Sequence, residues 1–437
     1  MKRILGMRRI LLILCIFCYF PPFVSSAADN NDATLSLEEC IEIVVANNPE
    51  LAMARADTEN REALLQSSKK DLYPTLSAQY SYLHQPDEIY TPPDLFTYGV
   101  KAEQPLYKGK SLITSVKQAE LSRETSQLAI DQVTNNLVFE VYGRYYELLR
   151  AIKLEEEARQ SVLRLQSHSK DAKAFYEAGL IPKNDMLQSE VELAQGEQDL
   201  VDAENASAMA KSRLNVLMER PVGSLLNIED HSDYVIQDIS WDEVIEKARE
   251  NRAEIAQSDK AVQIAENDIV LKKAPYLPSI TLSASYDRVG DEIGAAPDPN
   301  IPSEVKTVKA VATWQLWTWM KDRDDVLAAE KNLQKAKKSV TKTVNEVTLD
   351  ARNSYLRLEQ AAKRIKVSEK AIEHAKENYR INQAQYQAQL TTSTDVLDAQ
   401  TLLNQAMTNY YNALYGYQLA LAAIDKSKGL FGQRYSK

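Results

Sequence analysis

Ser36-Leu37-Glu38-Glu39-Cys40-Ile41-Glu42 recurs further along the chain as Ser240-Trp241-Asp242-Glu243-Val244-Ile245-Glu246. At the same offset, Tyr73-Pro74-Thr75-Leu76-Ser77 returns as Leu277-Pro278-Ser279-Ile280-Thr281. The offset later grows by six residues and the echo persists. Tyr176-Glu177-Ala178-Gly179-Leu180 with Asp185-Met186-Leu187 matches Tyr386-Gln387-Ala388-Gln389-Leu390 with Asp395-Val396-Leu397. Units of about two hundred residues are too long for stacked solenoid repeats. They predict a duplicated fold, each half presenting the same elements in the same order.

Just after the second echo, and again beyond it, the pattern has a period of two. Leu76, Ala78, Tyr80 and Tyr82 alternate with Thr75, Ser77, Gln79 and Ser81; Phe96, Tyr98, Val100 and Ala102 alternate with Thr97, Gly99, Lys101 and Glu103. In the second half, Ile280, Leu282, Ala284 and Tyr286 alternate with Thr281, Ser283, Ser285 and Asp287. Val308, Ala310, Ala312, Trp314 and Leu316 do so with Thr307, Lys309, Thr313 and Gln315, Val311 being the exception. At roughly ten residues apiece, one face apolar and one polar, these segments match membrane-spanning strands. One such hairpin would suit the surface of a soluble domain equally well. Two equivalent hairpins, each between long helices in an exported chain, favour the membrane. The hairpin loops, Gln85 to Asp94 and Asp291 to Pro302, are acidic and proline-bearing, and are expected outside the cell. Four strands are too few to close a barrel, for which about eight are the practical minimum. Lipid-facing open edges are excluded as well. The chain must therefore associate with copies of itself; three copies give twelve strands, although the arithmetic allows other numbers.

The 12 glycines and 15 prolines cluster, and the tracts between them are rich in Ala, Leu, Gln, Glu and Lys. That composition predicts helices over residues 36–72, 110–177, 184–218, 240–273, 320–387 and 394–425. The second would be on the order of 100 Å long at 1.5 Å per residue. Its knobs, Leu112, Val116, Ala119, Arg123, Ser126, Ile130, Val133 and Leu137, step by three and four, and few of them are large. So do Ala399, Leu402, Leu403, Ala406, Tyr410, Ala413, Leu414 and Tyr417. Narrow stripes of this kind suit coiled-coil-like packing of elongated helices.

The first 27 residues read as a secretory signal peptide. Lys2, Arg3, Arg8 and Arg9 precede an apolar run from Ile10 to Val24, and Ser25-Ser26-Ala27-Ala28 supplies the cleavage site. Its removal takes two of the three cysteines and leaves Cys40, so no internal disulfide is expected. It also takes the net charge from −10 to about −14, which argues against nucleic acid as a partner. Mean hydropathy is −0.40, a value that conceals membrane strands because their signal is weak.

The strand pairs, the long helices and the tandem echo together resemble the TolC family of outer-membrane efflux channels. The resemblance covers the whole mature chain, and its most specific pieces are turns. Gln104-Pro105-Leu106-Tyr107-Lys108-Gly109 is similar to the family's strand-to-helix junction, with Gln315-Leu316-Trp317 as its second copy. Tyr176 to Leu187 and Tyr386 to Leu397 resemble its two helix-hairpin tips. The fold this implies is mainly α with a small β part and internally duplicated. Long antiparallel helices form a periplasmic tunnel, and four strands per chain enter a trimeric, 12-stranded outer-membrane barrel. The implied organisation is a first repeat over 28–239 (hairpin 74–107, helices 110–218, equatorial connection 219–239), a second over 240–426 (hairpin 278–317, helices 320–425) and a tail over 427–437. The implied setting is the outer membrane of a Gram-negative bacterium, in contact with its lipid and extending into the periplasm. The implied partners are two further copies, a periplasmic adaptor (membrane fusion protein), and an inner-membrane efflux pump or ABC exporter. The implied role is a passive exit duct for efflux or type I secretion.

The resemblance places an acidic gate at the tunnel's inner mouth on Asp395 and Asp398, with Tyr386 on the preceding helix and Asp185 at the other tip. Residues three apart share a helix face, so three copies would set six carboxylates around one axis and favour cations. Asp395 also reads as a helix-start residue after Thr391-Thr392-Ser393-Thr394, and Asp185 equally so. Thr391 stands where a basic gate residue can occur in the family, which argues against a salt-bridged lock. Gln389 replaces the glycine seen at Gly179, so the two tips need not bend alike. Gly179, Leu180 and Ile181, with Leu390 and Leu397 opposite, are candidates for adaptor contact, with ordinary turn packing as the alternative.

Enzyme motifs are missing, and no cofactor is expected. His84, His168, His231 and His374 lack metal-ligand spacing. No phosphate loop, nucleophile elbow or zinc-protease helix appears. A non-conducting exported coiled-coil adaptor or scaffold is the competing reading, but an adaptor would flank one helical hairpin with β-rich domains rather than interleave helices and hairpins.

Overall fold

The computed structural model describes residues 34–84, 94–230, 234–293 and 303–435. The signal peptide and most of both hairpin loops lie outside the described residues. The chain begins with β1 (Thr34–Leu35), α1 (Leu37–Asn47), α2 (Pro49–Lys70), β2 (Thr75–His84), β3 (Asp94–Lys108), α3 (Ser111–Glu177) and α4 (Lys183–Leu217). After β4 (Asn227–Ile228) come α5 (Trp241–Asn251), α6 (Ala253–Lys273), β5 (Ser279–Gly290), β6 (Glu304–Thr313), α7 (Lys321–Gln387) and α8 (Ser393–Ser427). A short α9 (Leu430–Tyr435) follows. α3 and α7 have 67 residues each, and α4 and α8 have 35 each.

The tracts expected as single helices at 36–72 and 240–273 are each broken once. Ser36 and Glu39 form a capping box that starts α1: the Glu39 amide donates to Ser36 Oγ at 3.2 Å and the Ser36 amide to Glu39 Oε2 at 2.8 Å. Asn48 then ends α1 and starts α2, its Oδ1 accepting from the Glu50 amide at 2.9 Å ahead of Pro49. That is a proline-at-N1 start on an asparagine cap. The second break falls at Arg252, whose backbone is extended. Its guanidinium is only 10% exposed and is clamped by Glu254 and Asp350, each at 2.8 Å.

The main core sits where these breaks occur, around the middle of the long helices. Ile41, Val44, Tyr145, Leu148, Leu214, Met218 and Phe431 are buried there, along with Cys40. Burial pushes the Cys40 thiol up to about 12. Two pieces of this belt escape sequence reading. β1 pairs in parallel with β4, and the Tyr145 hydroxyl donates to the Glu229 carbonyl at 2.8 Å to tie that pair to α3. The expected tail folds as α9, with Phe431 stacked on Tyr142 at 5.2 Å. α9 fits against α3 because residue 432 is glycine: a Cβ there would lie 2.5 Å from the Asp131 carbonyl oxygen.

The four two-residue-period segments form one antiparallel sheet in the order β2-β3-β5-β6. Its register aligns their apolar positions. Ala78 faces Val100, Val100 faces Tyr286, Ala102 faces Ala284, and Ala284 faces Val308. Ser77, Lys101 and Ser285 align with Thr307 on the other face. The polar face is the more enclosed: Ser283 is 4% exposed, whereas Leu282 and Tyr286 are 39% and 41% exposed. The sheet therefore curls toward its polar side and offers its apolar side outward. β6 stops at Thr313, short of the expected Leu316. There the Trp314 indole donates to the Tyr276 carbonyl at 3.1 Å, and the chain turns into α7. Left-handed residues precede both 67-residue helices, Gly109 and Lys110 before α3, and Trp319 and Met320 before α7.

Candidate functional site

The ends of α3 and α7 remote from the sheet are where the two helix hairpins turn. After α3, the Gly179 amide donates to the Tyr176 carbonyl at 2.9 Å and the Leu180 amide to the Phe175 carbonyl at 2.9 Å. After α7, the Gln389 amide donates to Tyr386 at 2.9 Å and the Leu390 amide to Gln385 at 2.8 Å. This is the same Schellman closure twice. Gly179 has φ +73 and Gln389 has φ +59. The two tips close alike, because a non-glycine residue holds the left-handed position at the second tip.

Asp395 is the third residue of α8 and completes a capping box with Thr392. Its Oδ2 accepts from the Thr392 hydroxyl at 2.6 Å, the Thr391 hydroxyl at 2.7 Å and the Thr392 amide at 2.9 Å, while its own amide donates to Thr392 Oγ1. Those donors hold the exposed carboxylate at about 2. Thr391 thus serves this acid as a donor. Asp398 lies exposed one turn further along the same helix face. Asp185 is half-buried in the first turn of α4.

Tyr386 does not join the two aspartates at the surface. It is 3% exposed, with its ring 4.8 Å from His168 and 5.4 Å from Phe175, and burial pushes its phenol upward. Its ring packs in the interior of the tip. Among the adaptor candidates, Leu180 and Leu390 are 53% and 78% exposed, Gly179 is exposed and Ile181 half-buried. Leu397 is buried.

Sequence reading misses a polar seam behind these tips, between α3 and α8. His168 Nε2 lies 2.8 Å from the Ser393 hydroxyl, both groups being buried. Further from the tip, Gln400 Nε2 donates to the Ser161 hydroxyl at 3.0 Å, and Asn404 Nδ2 donates to the same oxygen at 2.9 Å. Arg164 binds Glu157 at 2.5 Å and Asn404 at 3.2 Å. Burial pulls the His168 pKa down, partly opposed by Asp171. The only signal was spacing: Ser161, Arg164 and His168 recur at three and four residues, an interior pattern disguised by polar side chains.

A tip of paired acids, helices of 67 residues and a sheet apolar on its outward face form one elongated chain. A family model described as outer membrane efflux protein matches residues 40–218 and again 244–430. The chain belongs to the outer membrane efflux protein family. By family it is an outer membrane efflux protein and not an enzyme. It is 23% identical over 429 residues to outer membrane protein TolC of Vibrio cholerae serotype O1, covering 95% of this chain and 96% of that one. Its fold matches VceC of Vibrio cholerae with a TM-score of 0.78 at 18% identity, over 90% of this chain and 96% of that one. It matches a membrane protein from Pseudomonas aeruginosa at 0.80 and 17% identity, over 90% of each chain. The open state of the MtrE channel of Neisseria gonorrhoeae matches at 0.76 and 19% identity, over 90% and 88%.

Proposed function

We propose that the chain is the outer-membrane exit duct of a tripartite efflux or type I secretion system. Three copies close a 12-stranded barrel continuous with a helical periplasmic tunnel. The duct conducts passively what an inner-membrane pump or ABC exporter delivers through a periplasmic adaptor. The carrying observation is the sheet, with its apolar outward face, its more enclosed polar face and its edges β2 and β6 unpaired among the described residues. Open edges in lipid need closure by further strands. The mature chain divides at 239/240 into two repeats, a reading supported by the two family matches and by the equal helix lengths.

In this reading Asp395 and Asp398 face the inner mouth of the tunnel, and Asp185 lies beside them. Tyr386 buttresses the hairpin from inside, while Gly179, Leu180, Ile181 and Leu390 meet the adaptor. Asp395 serves at once as cap and as ring charge. Single-channel conductance in a planar bilayer tests this, with the Asp395→Asn/Asp398→Asn variant alongside. The expected result is a cation-preferring conductance that loses selectivity in the variant. Selectivity untouched by the variant returns both residues to helix capping. An insertion-competent protein that never conducts, or a soluble periplasmic monomer, overturns the duct in favour of a scaffold.

A further inference from the structure

Among the described residues eight have a positive φ, and they form four pairs, each 210 residues apart: Gly109 with Trp319, Lys110 with Met320, Gly179 with Gln389 and Glu219 with Gly429. α3 and α7 begin at the same spacing, at Ser111 and Lys321, as do α4 and α8, at Lys183 and Ser393. Each position on α3 thus has a counterpart on α7, and each on α8 a counterpart on α4. The counterparts differ in their surroundings. α3 packs along α8, but no comparable packing joins α7 to α4.

Contacts along its length define the α3–α8 seam. Near the belt, Asn135 Nδ2 donates to the Lys426 carbonyl at 2.9 Å, and Lys426 Nζ lies 4.8 Å from the centre of the Phe139 ring. Toward the tips, Ser161 meets Gln400 and His168 meets Ser393. All seven residues are buried or half-buried. Their counterparts are Asn345, Leu349, Ala371 and Asn378 on α7, and Val216, Glu190 and Lys183 on α4. Every one of these is exposed, Leu349 by 62% and Val216 by 53%. The two exposed faces also differ in charge. From Asp185 to Glu204, α4 carries seven acids and no Lys or Arg, whereas α7 from Lys363 to Arg380 carries six Lys and Arg against three Glu.

The sheet repeats the relation. β3 pairs with β5, while their counterparts β6 and β2 are its two edges. Ala78 lies opposite Val100 in the first hairpin and Leu282 opposite Ala310 in the second, which matches the strands residue by residue. The pairs Val100–Tyr286 and Ala102–Ala284 then correspond to Ala310–Tyr82 and Ala312–Tyr80.

We propose that the chain binds a second copy of itself head to tail, in the register of its own α3–α8 and β3–β5 contacts. α7 of one copy lies along α4 of the next. Asn345 donates to the Val216 carbonyl of the next copy, Leu349 covers the Val216 side chain, and Asn378 meets Lys183. β6 pairs with β2 of the next copy, Ala312 opposite Tyr80 and Ala310 opposite Tyr82. The register keeps apolar positions on one face; a slip of one residue would set Ala312 against Gln79 or Ser81. The basic stretch of α7 meets the acidic stretch of α4, which selects this partner and this direction. Such an interface joins unlike faces, so each copy leaves a free α7 for the next until a ring closes. Self-association is part of the duct reading, on which this register rests.

Cysteine cross-linking of the full chain in membranes is the test. Tyr80→Cys/Ala312→Cys should form an intermolecular disulfide on oxidation, since directly opposite Cβ atoms lie about 4.5–5.5 Å apart. Val216→Cys/Leu349→Cys should be joined by a short bis-maleimide. Both should convert most chains to covalent oligomers, whereas the displaced pairs Tyr80→Cys/Ala310→Cys and Val216→Cys/Leu356→Cys should leave monomers. The two pairs lie on different elements, so a variant that fails to fold at one leaves the other to decide. Preferential linking of a displaced pair overturns the register. Linking by Leu349→Cys alone overturns the head-to-tail arrangement, because like faces would then meet. Absence of links in a chain that still sediments as an oligomer overturns the register and spares the duct; absence of links in a monomer overturns both.

Discussion

The two hairpin tips allow one substitution to be made in both directions on the same geometry. Gly179 and Gln389 occupy the same left-handed position in the same Schellman closure. Nothing lies within 4 Å of a Cβ built on Gly179, so replacing it incurs no steric clash, only the backbone term. A left-handed L-residue costs roughly 1–2 kcal/mol. Glycine's extra freedom in the unfolded chain offsets about 0.5–1 kcal/mol of that. Gly179→Gln should therefore weaken the first tip by about 1 kcal/mol, which is about a fivefold rise in local opening. Gln389→Gly should leave the second tip unchanged or tighten it by up to a similar amount. Hydrogen exchange reads this directly, because the Leu180 and Leu390 amides each close their turn. Exchange at Leu180 should accelerate in Gly179→Gln, while exchange at Leu390 should not accelerate in Gln389→Gly. Equal acceleration at both sites would refute the argument. It would mean that the Gln389 side chain, and not the backbone angle, holds the second tip.

Acid should loosen the tip through His168. Its pKa is depressed in the folded chain by burial, so the native state binds fewer protons than the unfolded state. The stability this gives is complete above about pH 6.5 and declines as pH falls below it. Exchange at the α3–α8 seam, corrected for intrinsic rates, should rise between about pH 7 and pH 5, and His168→Gln should flatten that rise. Asp395 is shifted in the same direction but by a different cause, hydrogen bonds to its charged form. Held at about 2, it supports its cap at any pH above the unfolded value and loses that role only as pH falls toward about 2. Cation preference should therefore persist to about pH 4, and its disappearance near neutrality would place the selectivity on other groups. Gly432→Ala forces a methyl against the Asp131 carbonyl, so α9 should detach, seen as a fall in thermal stability and faster proteolysis of the C-terminus. Val308→Lys, on the outward face and 77% exposed, should destabilise the membrane-inserted protein by about 2–4 kcal/mol if it lies near the bilayer midplane, whereas Thr307→Lys on the opposite face should be tolerated. Denaturant titration in lipid vesicles compares the two, and equal penalties would reverse the assignment of faces.

What could be read from the sequence was what periodicity encodes. Leu76 to Tyr82 and Val308 to Ala312 show their faces because a strand reverses its side chains at every residue, and the register then aligns those faces across all four strands. The long helices were equally plain, since few glycines or prolines interrupt them. Contacts that depend on one residue left no such trace. The break at Asn48 could have been found, because asparagine before proline is a recognisable helix start. The break at Arg252 could not, because its clamp comes partly from Asp350, about a hundred residues away. The two-residue strands β1 and β4 carry no pattern at that length. The seam hid for a different reason. Ser161, Arg164, His168, Gln400 and Asn404 look like a solvated helix face until α3 and α8 are brought together. Buried polar contacts of this kind require matched partners, whereas an apolar stripe slides with little change in energy. The sequence that looks least committed to a core therefore fixes how α8 sits on α3, and with it where Asp395 and Asp398 stand.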